Sequence, residues 1–465
     1  MKMKMRSRLI AGLLGLMMLL SACSSGTSNT ATDSKATEKT TEKTTEETTE
    51  TSVAADTAQT QDTTDVEKIT IWVHANSFKT RAEDYAAATG NEVEVVLIPY
   101  DDFQTKLKQS ITDPKTTPDL FIISRDFARE WVEAGSAITN LSKAFPDDMA
   151  TYEANTYASL LAMGSNDDGD VYGVTAEYSL GMMFYNREVA EKLLGTQDEA
   201  EVAKAISSEE KILELNELLK AEYGGDVKMF GTFYNIASFY FNSRVEPWVK
   251  DDVMTITDEI DHFMDWAKIV YDNDMILAEG EDDAYFNGYA EGNFMLDPLP
   301  TWGFNSKVRP QVVDDGIEIW GVTSPYIPYI RGGSFFFIPE ASANKEAAWE
   351  AVKYMGLDED NLYSYCLSAL SLAANKSVNE KLVDNDYKEP LLGGQAIFKT
   401  YLAATADVEA KYGDSTNTTK YDGFIAEFLR DVAKDYATGK VTKEEAYKDF
   451  KLRLESAYPE ITVEW

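Results

Sequence analysis

Residues 69–126 alternate between two hydrophobic periods, and this alternation narrows the fold more than any other feature of the chain. Residues 69–73, Ile-Thr-Ile-Trp-Val, are β-branched and aromatic and read as a strand. Polar His74, Ala75, Asn76 and Ser77 follow, then a helix over 79–88 that Gly90 stops. A second strand is expected over 92–98. The next helix, 102–111, sets Phe103, Leu107 and Ile111 on one face. A third strand, 119–123, ends at Ser124, Arg125 and Asp126. This order gives a parallel sheet with right-handed crossovers, the layered α/β class. Such sheets bind ligands beyond the carboxyl ends of their strands. The loops 74–77 and 124–127 therefore face one cleft, and His74 and Asn76 become rim candidates.

The trend returns later. Residues 229–234 read as a strand opening onto a helix, and helix 258–272 carries Ile260, Phe263, Met264, Ala267 and Val270. Residues 292–297 lead into a Pro-rich turn and Trp302. Helix 344–356 has Ser342 as candidate N-cap and Gly356 as its stop. The chain closes with helices over 421–437 and 442–456, the latter opened by a Thr442/Glu445 capping box. About 400 residues follow Val66, too many for one comfortable core, so two lobes are expected.

The first residues read as an export signal. Lys2, Lys4, Arg6 and Arg8 precede an apolar run over 9–20, short for a membrane span. It closes on Leu20-Ser21-Ala22-Cys23, which resembles the lipobox of bacterial lipoprotein precursors. That likeness implies a signal peptide over 1–22 and a lipid on Cys23, holding the protein at the outer face of the cell membrane. Residues 23–66 are Thr/Glu-rich and low in aromatics, too polar to offset ordering entropy, and read as a disordered tether. A flexible coil of that length spans about 35–40 Å. Cys366 then has no partner, because the chain has only two cysteines, and the body folds without disulfides.

With 80 acids against 43 bases the formal charge is −37. Such a surface suits neither nucleic acid nor a peripheral grip on anionic lipid. His74 and His262 are the only histidines, so no Ser-His-Asp set or His-rich metal site is supported. No Gly-rich phosphate loop is present. The chain is expected to need no cofactor and to be no enzyme.

Four motifs in order carry a family resemblance over essentially everything after residue 66. They are Pro118-Asp119 with the strand to Ile123; Val171-Tyr172-Gly173 leading to Phe184-Tyr185-Asn186-Arg187; Phe286-Asn287-Gly288 with Gly292-Asn293-Phe294-Met295 and Trp302; and Gly332-Gly333-Ser334 followed by Ser342–Trp349. Together they resemble the extracellular solute-binding proteins of ABC importers, in the sugar-binding group like maltose-binding protein. Asp297-Pro298-Leu299-Pro300-Thr301-Trp302 departs from that group's usual Gly-Pro-Trp.

The resemblance implies a two-lobed periplasmic-binding-protein type II fold with a hinge between lobes. Lobe 1 is expected over 67–177 with 330–378, and lobe 2 over 178–325 with 390–465. The crossovers fall near 174–181, 323–332 and 376–395. A carbohydrate ligand and membrane permease subunits are the implied partners, with the protein itself a monomer.

A sugar needs flat aromatics for its C–H faces and carboxylates, amides or Arg for its hydroxyl rim. Asp126 aligns with a sugar-binding carboxylate of the family, and Tyr234 with a stacking aromatic. Glu177 and Tyr178 lie at the first hinge, and Asn235 follows the second-lobe strand. Trp302 is the leading stacking candidate. Arg331 can bridge lobes or bind hydroxyls, and Tyr421 sits where the family brings a late aromatic. Two rival readings are a glycosidase pairing Asp126 with Glu177 and a binding protein for a polyamine, peptide or metal.

Overall fold

Two sheets of five strands organise the body. In the first, Lys68–Val73 lies between Glu92–Leu97 and Leu120–Ser124, parallel to both. The computed structural model describes residues 68–111, 113–413 and 417–465; the leader, Cys23 and the tether lie outside the described residues. Each strand of this half feeds a helix. Asn76–Thr89 closes on Gly90 at φ +77°, a left-handed turn that glycine adopts without strain. Tyr100–Ser110 follows the second strand, and Arg125–Glu133 follows the third without a break. Two antiparallel strands complete the sheet: Ser334–Phe337 beside Leu120–Ser124, then Val174–Thr175.

The second sheet repeats this layout. Its order is Ile276–Ala278, Lys228–Thr232, Phe294–Pro300, Gly181–Asn186 and Trp320–Thr323. The first three are parallel neighbours and the last two join antiparallel. In each sheet the fourth strand comes from the far side of a chain crossing. The chain leaves the first sheet at Thr175 and enters the second at Gly181; it leaves the second at Thr323 and returns at Ser334. Between the lobes, Glu177–Tyr178 pairs with Leu372–Ala373.

The apolar periodicity becomes core. Phe121 stacks on Phe337 at 5.3 Å and meets Trp131 edge-on. Ile260, Phe263, Met264, Ala267 and Val270 are all buried. One buried cluster runs from Ile69 and Ile71 through Tyr178 and Leu180 to Phe294 and Trp320, so the hinge is packed with apolar side chains. Cys366 is buried in that cluster, on the helix leading into Leu372–Ala373, and burial pushes its thiol up to about 12.

Three local expectations change. The strand expected to reach residue 234 ends at Thr232, because the Thr232 hydroxyl caps the helix Phe233–Ser243 by accepting from the Asn235 N–H at 3.0 Å. Tyr234 and Asn235 thus sit in a helical first turn. Residues 297–300 are strand rather than turn. The parallel partner stops at Leu296, so Pro298 and Pro300 fall where the strand has one neighbour and a missing N–H is tolerated. The helix expected over 344–356 spans Lys345–Val352 and passes into a π-turn, Lys353–Leu357, that contains Gly356. Ser342 does not cap it; its hydroxyl donates to Asp119 at 2.7 Å. The Thr442/Glu445 capping box is present as expected.

Candidate binding site between the lobes

Side chains that open helices just beyond strand ends converge on one space. Tyr100 is the first residue of its helix, Asp126 the second of Arg125–Glu133, and Tyr234 the second of Phe233–Ser243. The first two belong to the first lobe and the third to the second. They line a cavity of about 420 Å³, joined by Phe127 on one side and Trp248, Phe424 and Arg430 on the other. Arg331, from the returning crossover, lines it too. The volume and the mix of rings with a few polar groups suit a small ligand. A second cavity of about 250 Å³, lined by Tyr152, Thr156, Lys353 and Asn375 among others, shares no lining residue with the first.

The first-lobe wall is locally bonded. Asp126 accepts from the Tyr100 hydroxyl at 3.1 Å and the Ser124 hydroxyl at 3.4 Å. His74 lies behind it, bonded to Ser334 at 3.0 Å and ringed by Phe78, Tyr100 and Phe103. Burial lowers its pKa to about 4, against the pull of Asp126, so it is neutral at pH 7. Asn76 is exposed at the start of its helix and does not line the cavity.

The second-lobe wall is bonded over long sequence distances. Arg331 donates to Asn235 Oδ1 at 2.9 Å. Asn235 Nδ2 in turn donates to Asp297 at 2.9 Å, and the Tyr285 and Tyr289 hydroxyls also bond Asp297. Asp297 is fully buried, and burial raises its pKa to about 6 although these donors oppose the rise. Asn235 is equally buried, so it holds Arg331 in place from behind. Arg244 pairs with Asp422, and its guanidinium lies 3.7 Å from the Trp248 ring centre.

Arg125 spans both walls. It is buried on the first-lobe helix, yet donates to Asn242 at 2.8 Å, the Ile330 carbonyl at 2.8 Å and Asn417 at 2.9 Å.

Asp126, Tyr234 and Arg331, all named from sequence, therefore meet in one cavity. The others named with them are placed elsewhere. Glu177 accepts from Tyr365 at 2.6 Å and Arg81 at 3.4 Å, away from the cavity lining. Tyr178 is fully buried in the hinge, its hydroxyl on Glu409 at 2.5 Å. Trp302 donates to the Arg331 carbonyl at 3.4 Å and lies against Gly332, where an added Cβ would come within 2.9 Å of its indole nitrogen. Tyr421 is buried against Tyr458 at 4.8 Å. Sequence reading missed Tyr100, Phe127, Trp248 and Arg430. Tyr100 obeys the strand-end rule that selected Asp126. Trp248 and Arg430 arrive from later elements that no local signal ties to the cleft.

Among the described residues no group of acidic, histidine or cysteine side chains could hold a metal ion, and no helix is long and apolar enough to cross a membrane. The pattern for bacterial extracellular solute-binding proteins matches residues 80–391. No curated protein sequence matches the chain. Among solved structures, an extracellular solute-binding protein of family 1 superposes with a TM-score of 0.71 at 15% identity, over 84% of this chain and 99% of that one. The ABC-transporter-associated binding protein of B. animalis subsp. lactis, solved with β-1,6-galactobiose, gives 0.68 at 17% identity, over 86% and 100%. The galacto-N-biose/lacto-N-biose I-binding protein of Bifidobacterium longum, solved with lacto-N-biose, gives 0.66 at 16%, over 87% and 100%. The chain has the two-lobed α/β fold of these proteins, and it belongs to the bacterial extracellular solute-binding proteins.

Proposed function

We propose that the chain captures a sugar or short oligosaccharide between its lobes and delivers it to an ABC permease. The observation that carries this reading is the cavity itself. It sets the rings of Tyr100, Phe127, Tyr234, Trp248 and Phe424 among Asp126 and Arg331, flat apolar surfaces with hydrogen-bonding groups between them. Sugars bound by the two bifidobacterial proteins of the same fold support it. Lobe 1 is then 67–177 with 330–378, and lobe 2 is 178–325 with 390–465, closing over the ligand by a hinge movement. The lipid on Cys23 and the tether over 23–66 hold this body at the outer face of the membrane.

Titration calorimetry against a panel of neutral and acidic mono- and disaccharides tests the ligand class. Micromolar or tighter binding of a sugar is expected, weakened in Tyr234→Ala. Heat from polyamines or peptides, with none from any sugar, would overturn the reading. Release of Cys23→Ser into the medium, with the parent chain retained on cells, is the matching result for the anchor. A polyamine is disfavoured by the guanidinium groups that line the cavity.

A further inference from the structure

The cavity carries more positive charge than its own carboxylates balance, in a chain whose net charge is −37. Four guanidinium groups line it, from Arg125, Arg244, Arg331 and Arg430, against the carboxylates of Asp126, Asp422 and Glu427. Asp422 is spent on Arg244. The Arg125 partners are two amides, a carbonyl and the sulfur of Met163. Arg331 donates to Asn235 and the Pro298 carbonyl. Of the acids behind it, Asp297 is engaged by two tyrosines and Asn235, and Glu281 by Lys307 through Oε2 alone. Arg430 has no ion-pair partner among the described residues; its guanidinium lies 5.0 Å from the Tyr234 ring centre, and that of Arg331 lies 5.3 Å from the same centre. Glu427, on the same helix as Arg430, is exposed.

A neutral polyol entering here would strip water from two guanidinium groups and return only neutral acceptors. An anionic oxygen pair returns charge-assisted, bidentate bonds, which are roughly twice as strong. We propose that the bound sugar bears a negatively charged group, a uronate carboxylate or a sulfate ester, which Arg430 and Arg331 receive beside Tyr234. This deepens the carbohydrate reading and rests on it.

Calorimetry on the full chain with matched disaccharides tests it: galactobiose, digalacturonate and a 6-O-sulfated galactobiose, each in several linkages. An acidic member is expected to bind about tenfold tighter than its neutral counterpart, or more. Whichever acidic arm wins identifies the group as carboxylate or sulfate. Arg430→Gln should erase most of that preference, and Arg430→Lys should keep part of it. If the neutral member binds as tightly as the acidic ones, the charge proposal fails and the carbohydrate reading stands. If no sugar binds, both fail. Because the preference is measured on the parent chain, a variant that does not fold leaves the test intact.

Discussion

The two walls of the cavity rest on sheets of the same strand pattern, yet they are held in different ways. The lining of the first-lobe wall is bonded within a short stretch: the Tyr100 and Ser124 hydroxyls both donate to Asp126 across fewer than thirty residues, and only His74 behind them reaches far, to Ser334. The second-lobe wall depends on partners 62 and 96 residues from Asn235, in Asp297 and Arg331. A wall made locally can be built by its own strand–helix units. The other exists only once both crossovers are in place. The lining groups on the first side are thus set largely by one supersecondary unit, and those on the second side by the finished fold.

Arg125 is where the comparison can be broken most forcefully, because it ties the local wall to the distant one. Arg125→Ala should lower stability by about 2–4 kcal/mol, since two buried acceptors, the Ile330 carbonyl and Asn417, and the half-buried Asn242 lose a charged donor. Urea unfolding reads this; a loss below 0.5 kcal/mol would mean the walls are not joined through Arg125.

Acidification should separate the walls by sign. The folded pKa of His74 lies below its usual value, so the unfolded chain takes up that proton first, and stability is lost as pH falls from about 6.5 to about 4. Asp297 has a raised folded pKa, so the native state takes up its proton first, and stability is gained as pH falls from about 6 toward 4. Each contribution is on the order of 1–3 kcal/mol. His74→Gln should flatten the acid loss and Asp297→Asn should steepen it. Thermal midpoints at pH 7, 5.5 and 4.5 decide; slopes that move the same way would refute the contrast.

Among aromatic residues, Tyr234→Ala should weaken sugar binding roughly tenfold, through loss of a stacking surface. Trp302→Ala should cost less affinity, because the indole braces Gly332 outside the cavity. Equal losses would bring Trp302 into contact with ligand. The smallest effect is expected at the hinge: Glu177→Gln should leave affinity unchanged and cost about 1 kcal/mol of stability through Arg81 and Tyr365.

This same contrast explains how much could be read from the chain beforehand. The opening strand–helix alternation is encoded in adjacent residues, so the three parallel strands of the first sheet were legible, and with them the place of Asp126 at a strand end lining the cavity. Tyr234 was legible as the residue after a strand, although the helix begins sooner than hydrophobicity suggests, because Thr232 caps it. Trp248 and Arg430 were not: Trp248 lies under Arg244, which pairs with Asp422, and Arg430 reaches Tyr234 from the helix Asp422–Ala437. Glu177 and Tyr178 show the converse. A polar residue in a motif loop looks the same in sequence whether it faces a cleft or a distant partner such as Glu409.

The lone thiol of the body gives the hinge a reporter. Cys366 sits inside the packed cluster that joins the lobes, protonated and shut away from solvent. Once Cys23 is lipidated or replaced, an alkylating reagent can reach sulfur only during a moment of opening. The labelling rate therefore counts breathing events at the joint, and a ligand that clasps both walls should slow the count.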